Sequence, residues 1–340
     1  MNAPSKAAAP AWPAAVLGAL LGLAILKLGN PVILEEQIGR PTTPDEWWSQ
    51  PWPPGTGRWW FLALALAMVP LPGVWRHLKD GLRPRWLWLL PLGWLGWQAV
   101  SASATVDAKL TAATLPHLAT VVVAFALGVT CARLRPLPVL VGVAMASAVC
   151  WLKAVNQRTV EFPRDREALV QGEQSGWTNF TPSQVAEMRA SGFILRTNNV
   201  DVANPAILDK LTRARVHGTL VYPNALAGLV LLVFPVVFGA LMPLMNGARP
   251  LVRWAALGLL PGLAGASLWW SGSRSGWLLA LASGVAVGWL APTFRRWRTP
   301  LTLAVVVGGS GIFVARNAGY LGKGATSASA RLDYWKAAVQ

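Results

Sequence analysis

Nine apolar stretches, separated by connectors rich in arginine, constrain this chain more than any other feature. They lie at about 12–28, 59–75, 86–104, 111–131, 137–154, 220–243, 254–271, 275–291 and 300–315. About 20 apolar residues suffice to cross the hydrocarbon core as an α-helix, and tilt or local thinning accommodates shorter segments. No Asp or Glu falls inside any of the nine. Pro91, Pro235 and Pro261 do, which membrane helices tolerate better than soluble ones. Only 13% of the residues are charged, against about a quarter in soluble domains. The chain has 20 Trp and three Tyr, with Trp59, Trp60, Trp86, Trp88, Trp269, Trp270 and Trp297 at the ends of apolar runs. An indole is favoured there because its ring and its N–H suit the headgroup layer. The expected fold class is an all-α polytopic membrane protein of about nine transmembrane helices with a large helical outer loop.

Orientation follows from the bases. With the N-terminus inside, the inner connectors carry Arg76, Lys79, Arg83 and Arg85, then Arg133 and Arg135, then Arg249 and Arg253, then Arg295, Arg296 and Arg298. Asp80 is the sole acid among them, while Glu35, Glu36, Asp45, Glu46 and Asp107 fall outside. Four inner connectors therefore satisfy the positive-inside rule. The tail from Arg316 onward is then outside as well. Many of the bases behind the net charge of +16 lie in short loops between apolar segments, unlike the single basic face of a nucleic-acid binder, so no nucleic-acid partner is expected. No small-x-small site follows the run from Val16 to Leu28, so it reads as a retained first helix. Cys131 and Cys150 fall at different depths of neighbouring helices, and neither a disulfide nor a metal site is expected.

The chain divides into membrane helices 1–5 (residues 1–154), a polar outer loop (155–219), membrane helices 6–9 (220–316) and the start of a second outer loop (317–340). The first loop is too long for a connector, and such loops are functional or disordered. Its punctuation argues for order. Thr181-Pro182-Ser183-Gln184 reads as a capping box with Pro at the first helical position, and Gly192 stops that helix. Asn204-Pro205 starts a second, with Ile207, Leu208 and Leu211 on one apolar face.

Chemistry on the outer side rests on arginine. The sequence has no Walker motif, dinucleotide glycine fingerprint, HExxH or GxSxG elbow. The lack of membrane carboxylates weakens ion-coupled transport. Arg213, Arg215 and His217 precede Gly218-Thr219 and the run Tyr222-Pro223-Asn224-Ala225-Leu226-Ala227, which opens the sixth helix. Two readings stand for these arginines: solvated loop charges or headgroup anchors, and ligands for an anion. Ser271-Gly272-Ser273-Arg274-Ser275-Gly276 forms a tight outer hairpin between the seventh and eighth helices. Arg274 there either snorkels to headgroups or holds a ligand anion. Arg331, with Tyr334 and Trp335, stands in the outer tail. Guanidinium forks bind phosphate oxygens bidentately, so a lipid-linked phosphate or pyrophosphate is the natural ligand.

These motifs carry a family resemblance. Arg215-x-x-Gly218 running into Pro223-Asn224-x-Leu226-Ala227, then Ser273-Arg274 opening an apolar helix, then Arg331 before Tyr334-Trp335, resembles the O-antigen ligase and O-antigen polymerase family of bacterial membrane glycosyltransferases. The match is best from about residue 213 onward. The resemblance implies a protein of the bacterial inner membrane with a cytoplasmic N-terminus. It implies transfer of a glycan from an undecaprenyl pyrophosphate carrier to lipid A–core or another glycan at the periplasmic face, without metal or cofactor. Carried over, Arg215 and Arg274 would hold the pyrophosphate as catalytic residues, and Arg331 would be a lesser, substrate-binding partner. Arg213, Asn224, Ser273 and Trp335 complete the expected substrate-binding set, and His217 could substitute as the catalytic base for a histidine that the family carries later in its chain. Family members usually continue past the last motif, and the ligases carry a late histidine there. This chain ends at Gln340 within what reads as a helix, as a fragment of a longer protein would. Two other readings compete: a transporter or flippase of a lipid-linked anion, and a truncated, non-catalytic assembly partner. A transporter should show repeats or broken helices in matching halves, which the sequence lacks.

Overall fold

The computed structural model describes residues 10–35, 38–39, 41–71, 74–197, 199–247, 249–290 and 292–322. The chain forms two compact units, 1–272 and 273–340. Within the first, α1 (Trp12–Leu26) runs against α7 (Pro136–Asn156). Small residues set that approach. A Cβ on Gly18 would stand 2.5 Å from the Pro138 carbonyl oxygen, and one on Gly142 would stand 2.4 Å from the backbone of Gly18. Gly22 lies one turn on, against Gly142 and Ala146. Four-residue spacing of small residues lets two backbones touch where lipid offers no hydrophobic drive for association.

The other face of α1 builds an apolar core with α3 (Pro54–Met68) and α6 (Ala108–Leu134). Leu17 and Leu20 meet Phe61, Leu64, Met68, Leu127 and Cys131 there. Asp107 caps α6, its carboxylate accepting from the Leu110 amide at 2.9 Å. The short helix α2 (Pro44–Ser49) carries a complete capping box, Thr43 with Glu46. Two further helices, α4 (Val74–Gly81) and α5 (Leu89–Ser101), pack on α6.

At its polar end α7 does not stop. A π-helical turn, Gln157–Glu161, joins it to α8 (Phe162–Gln174), giving one helix of 39 residues from Pro136 to Gln174. At 1.5 Å per residue that is about 58 Å, well beyond the roughly 30 Å of hydrocarbon. The boundary read at 154/155 therefore lies inside a continuous helix. Beyond it come α9 (Pro182–Ala190), an antiparallel hairpin of β1 (Ile194–Thr197) and β2 (Val200–Ala203), and α10 (Pro205–Arg213). The expected capping box at Thr181 and the cap at Asn204 are both formed, and Gly192 has φ +74°. The segment has its own core of Leu169, Trp177, Ile194 and Ala203, with Ile207, Leu208 and Leu211 packed on it. The sequence reading of two helices missed α8 and the hairpin.

Two long helices, α11 (Pro223–Leu244) and α12 (Pro250–Ser271), complete the first unit and pack on α7 and on each other. The second unit holds α13 (Arg274–Leu290), α14 (Arg298–Leu303), a π turn (Ala304–Gly308) and α15 (Gly309–Gly322). Its helices fold back on one another, with Trp289 Nε1 donating to Thr302 Oγ1 at 2.8 Å. The last helix outruns its predicted end near 315, and so Arg316 lies within it.

Five described helical stretches are long and apolar enough to cross a membrane: Ala108–Leu134, Pro136–Gln174, Pro223–Met242, Pro250–Ser271 and Arg295–Ala315. Trp12–Leu26 and Arg274–Val287 are shorter apolar helices. The protein is an all-α membrane protein in this sense, with one small hairpin among its described residues.

Candidate functional site

The site is built where α10 gives way to α11. Lacking a glycine at its C-terminus, α10 ends on Ala214 in the left-handed region at φ +45°. That turns the chain back toward the end of α12. The Val216 amide donates to the Trp270 carbonyl at 3.2 Å, and Arg215 Nε donates to the Ser271 carbonyl at 2.9 Å. The last carbonyls of a helix have no partner within it and form the negative end of its dipole. Arg215 therefore caps α12 with a cation. Gly272, at φ +59°, lies beneath the side chain, and a Cβ there would stand 3.1 Å from Arg215 Nε. The other side of the fork reaches α11: Nη2 donates to Asn224 Oδ1 at 3.3 Å. Arg215 so ties the end of one long helix to the start of another while its side chain stays exposed.

The loop is held from below by Gln157, a residue the sequence reading did not single out. It is 3% exposed and sits in the π turn of the long helix. Its Oε1 accepts from the amides of His217 (3.1 Å) and Gly218 (2.9 Å), and its Nε2 donates to the Gly218 carbonyl at 3.0 Å. Gly218 has φ +64°, and a Cβ there would stand 2.6 Å from Cys150 Sγ. Two independent constraints thus demand glycine. Thr219 Oγ1 donates to the Ile25 carbonyl at 2.8 Å, which fixes the loop to the end of α1.

His217 is half-buried and engaged at both ring nitrogens. Nδ1 donates to the Leu220 carbonyl, and Nε2 faces the Gln157 amide at 3.3 Å. Burial pushes its pKa below the usual 6.5, helped by the charges of Lys210 and Lys153 and opposed by the Leu220 carbonyl and Glu161. A neutral ring with Nδ1–H is the form these contacts select.

The remaining candidates are placed as follows. Arg213 ends α10 and pairs with Asp209 one turn back at 2.8 Å, both exposed. Such an exposed pair is worth about 0.3–0.5 kcal/mol. In the second unit, Ser273 accepts the Gly276 amide at 3.1 Å and so caps α13, and Arg274 is the exposed first residue of that helix. Arg331 and Trp335 lie outside the described residues. Among the described residues no cluster of His, Cys, Asp or Glu could hold a metal.

The chain matches no protein-family model, no curated protein and no solved structure. Function must therefore be argued from these residues.

Proposed function

We propose that the protein is a lipid-linked glycan transferase of the O-antigen ligase or polymerase kind, with nine membrane spans and the 155–219 segment in the periplasm. The observation that carries this reading is the exposed guanidinium of Arg215, held between the start of α11 and the end of α12 by two hydrogen bonds. A preorganised fork of this kind suits a phosphate oxygen and loses no further freedom when charge develops. The resemblance of the Ser273-Arg274 motif assigns Arg274 a pyrophosphate-binding role.

In the proposed reaction an acceptor hydroxyl oxygen attacks the anomeric carbon and gives up its proton to solvent water. The bond from that carbon to the carrier's pyrophosphate oxygen breaks, and the pyrophosphate departs with the electron pair. Arginine stabilises the departing charge. His217 has its Nδ1 on the Leu220 carbonyl and its Nε2 facing the Gln157 amide of the long helix, contacts that fix the loop. The proposed donor is an undecaprenyl pyrophosphate-linked glycan, and the proposed acceptor is lipid A–core or another glycan. Glycan transfer from such a donor by purified protein, compared with Arg215→Lys, tests the reading. Lysine keeps the charge and loses the fork, so transfer should fall sharply. Wild-type transfer by Arg215→Lys would refute it.

A further inference from the structure

A second polar feature stands beside the Arg215 loop. It is a groove lined by Trp47, Trp52, Trp59, Glu35, Thr56 and Arg58, with a volume of about 490 Å³, inside the range of about 300–1,000 Å³ usual for small-molecule sites. Both features are anchored on the last turn of α1. Thr219 bonds to Ile25, and on the other side the Trp52 amide donates to the Lys27 carbonyl at 2.9 Å and Lys27 Nζ donates to the Gln50 carbonyl at 3.1 Å.

Two of the three indoles, Trp47 and Trp52, are tied to one another. Trp52 stands edge-on to Trp47 (centroids 4.9 Å apart, 77° between planes) and to Trp60 (5.8 Å, 80°), and its Nε1 donates to the Trp47 carbonyl at 3.2 Å. Even so, Trp47 is 48% and Trp59 72% exposed. Beside them Glu35 and Arg58 pair at 2.7 Å. The other Glu35 oxygen rests on Gly55, where a Cβ would stand 2.0 Å from it. Arg58 Nε is buried with no hydrogen-bond partner among the described residues.

A ligand for this groove must offer apolar faces to the indoles and several hydroxyls to a fixed carboxylate and guanidinium. It gains little from charge, because the pair is neutral as a unit and Glu35 repels a phosphate. We propose that the groove binds an uncharged saccharide, its ring C–H face on Trp47 or Trp59 and its hydroxyls bridging Glu35 and Arg58. That this saccharide belongs to the donor or acceptor glycan rests on the transferase reading. That the groove holds a sugar rests on the groove alone.

Saturation-transfer NMR on the full chain in lipid nanodiscs tests it, with maltotetraose and chitotetraose as neutral probes and inorganic pyrophosphate as the anionic one. At least one tetrasaccharide should give saturable transfer to its ring protons. At least one of Trp47→Ala and Trp59→Ala, whichever removes the indole under the ring, should weaken binding about tenfold or more, the usual loss for an aromatic anchor. Trp59 is exposed enough that its removal opens no core. Trp254→Ala, equally exposed at the opposite end of α12, should change nothing. Silence from both sugars, or binding indifferent to Trp47→Ala and Trp59→Ala, would overturn the proposal. So would native mass spectrometry showing a phospholipid that leaves on Trp59→Ala, since the indoles would then be interfacial anchors. Sugar binding lost with glycan transfer intact removes the groove alone, and transfer absent with sugar binding intact removes the transferase alone.

Discussion

At the scale of single residues, the site depends on groups that hold Arg215 in place without touching its proposed ligand. Gln157 accepts one buried and one part-buried amide, and its removal leaves both without this partner. Gln157→Ala should therefore destabilise the protein by about 1–3 kcal/mol per orphaned amide, read by thermal unfolding in detergent. An unchanged melting temperature would show that the loop is held elsewhere. Gly218→Ala should be worse tolerated than an ordinary surface change, since it combines a strained φ with a clash on Cys150. His217 gives the loop a pH dependence. Above about pH 6.5 the imidazole is neutral folded and unfolded, and the loop has its full stability. Below 6.5 the unfolded chain takes up a proton that the folded chain, with its lowered pKa, does not, so stability falls. Melting temperature should drop between pH 7 and pH 5, and His217→Gln should flatten that slope. A parallel slope in the variant would assign it to other groups.

At the scale of elements, the crossing of α1 on α7 is fixed by glycine, and the two loops that build the functional end are anchored on α1. Gly18→Val or Gly142→Val should force the helices apart and lower the yield of folded protein. Gly93→Ala, with open space around the glycine, should behave as wild type on size-exclusion chromatography. Each of the nine apolar segments overlaps helix among the described residues, but the one read at 59–75 is divided between α3, which ends at Met68, and α4, which begins at Val74, and five helical stretches are long and apolar enough to span. The errors fall where local signals were weak. The third helix starts at Pro54 and not near 59, since its first turn is Pro54-Gly55-Thr56-Gly57, poor helix formers that tertiary contacts hold in place. The hairpin at 194–203 was missed because two four-residue strands leave too short an alternation to read. Arg215 and Asn224 were legible as motif residues. Gln157 was not: a lone Gln at the end of an apolar helix has no pattern, and its role comes from residues some 60 positions away.

At the scale of the whole molecule, the ends of α1, α7 and α12 and the start of α11 meet around one loop system. Chains that alternate through a bilayer gather such ends on one side. The proposed orientation puts that side outside the cytoplasm. A Ser183→Cys variant should react with an impermeant thiol reagent in intact cells, and labelling only after permeabilisation would invert the topology. The 181–211 segment, with its own apolar core, should exchange amide hydrogens slowly. The central claim is that arginine holds the leaving pyrophosphate, and glycan transfer from an undecaprenyl pyrophosphate donor tests it most directly. Removing a donor that acts mainly on transition-state charge should lower kcat by on the order of 10²–10³ and change KM less. Arg215→Ala and Arg274→Ala should each show that loss, with lysine restoring little of it. Wild-type rates in both alanine variants would make these residues helix caps and headgroup anchors, and would contradict the account.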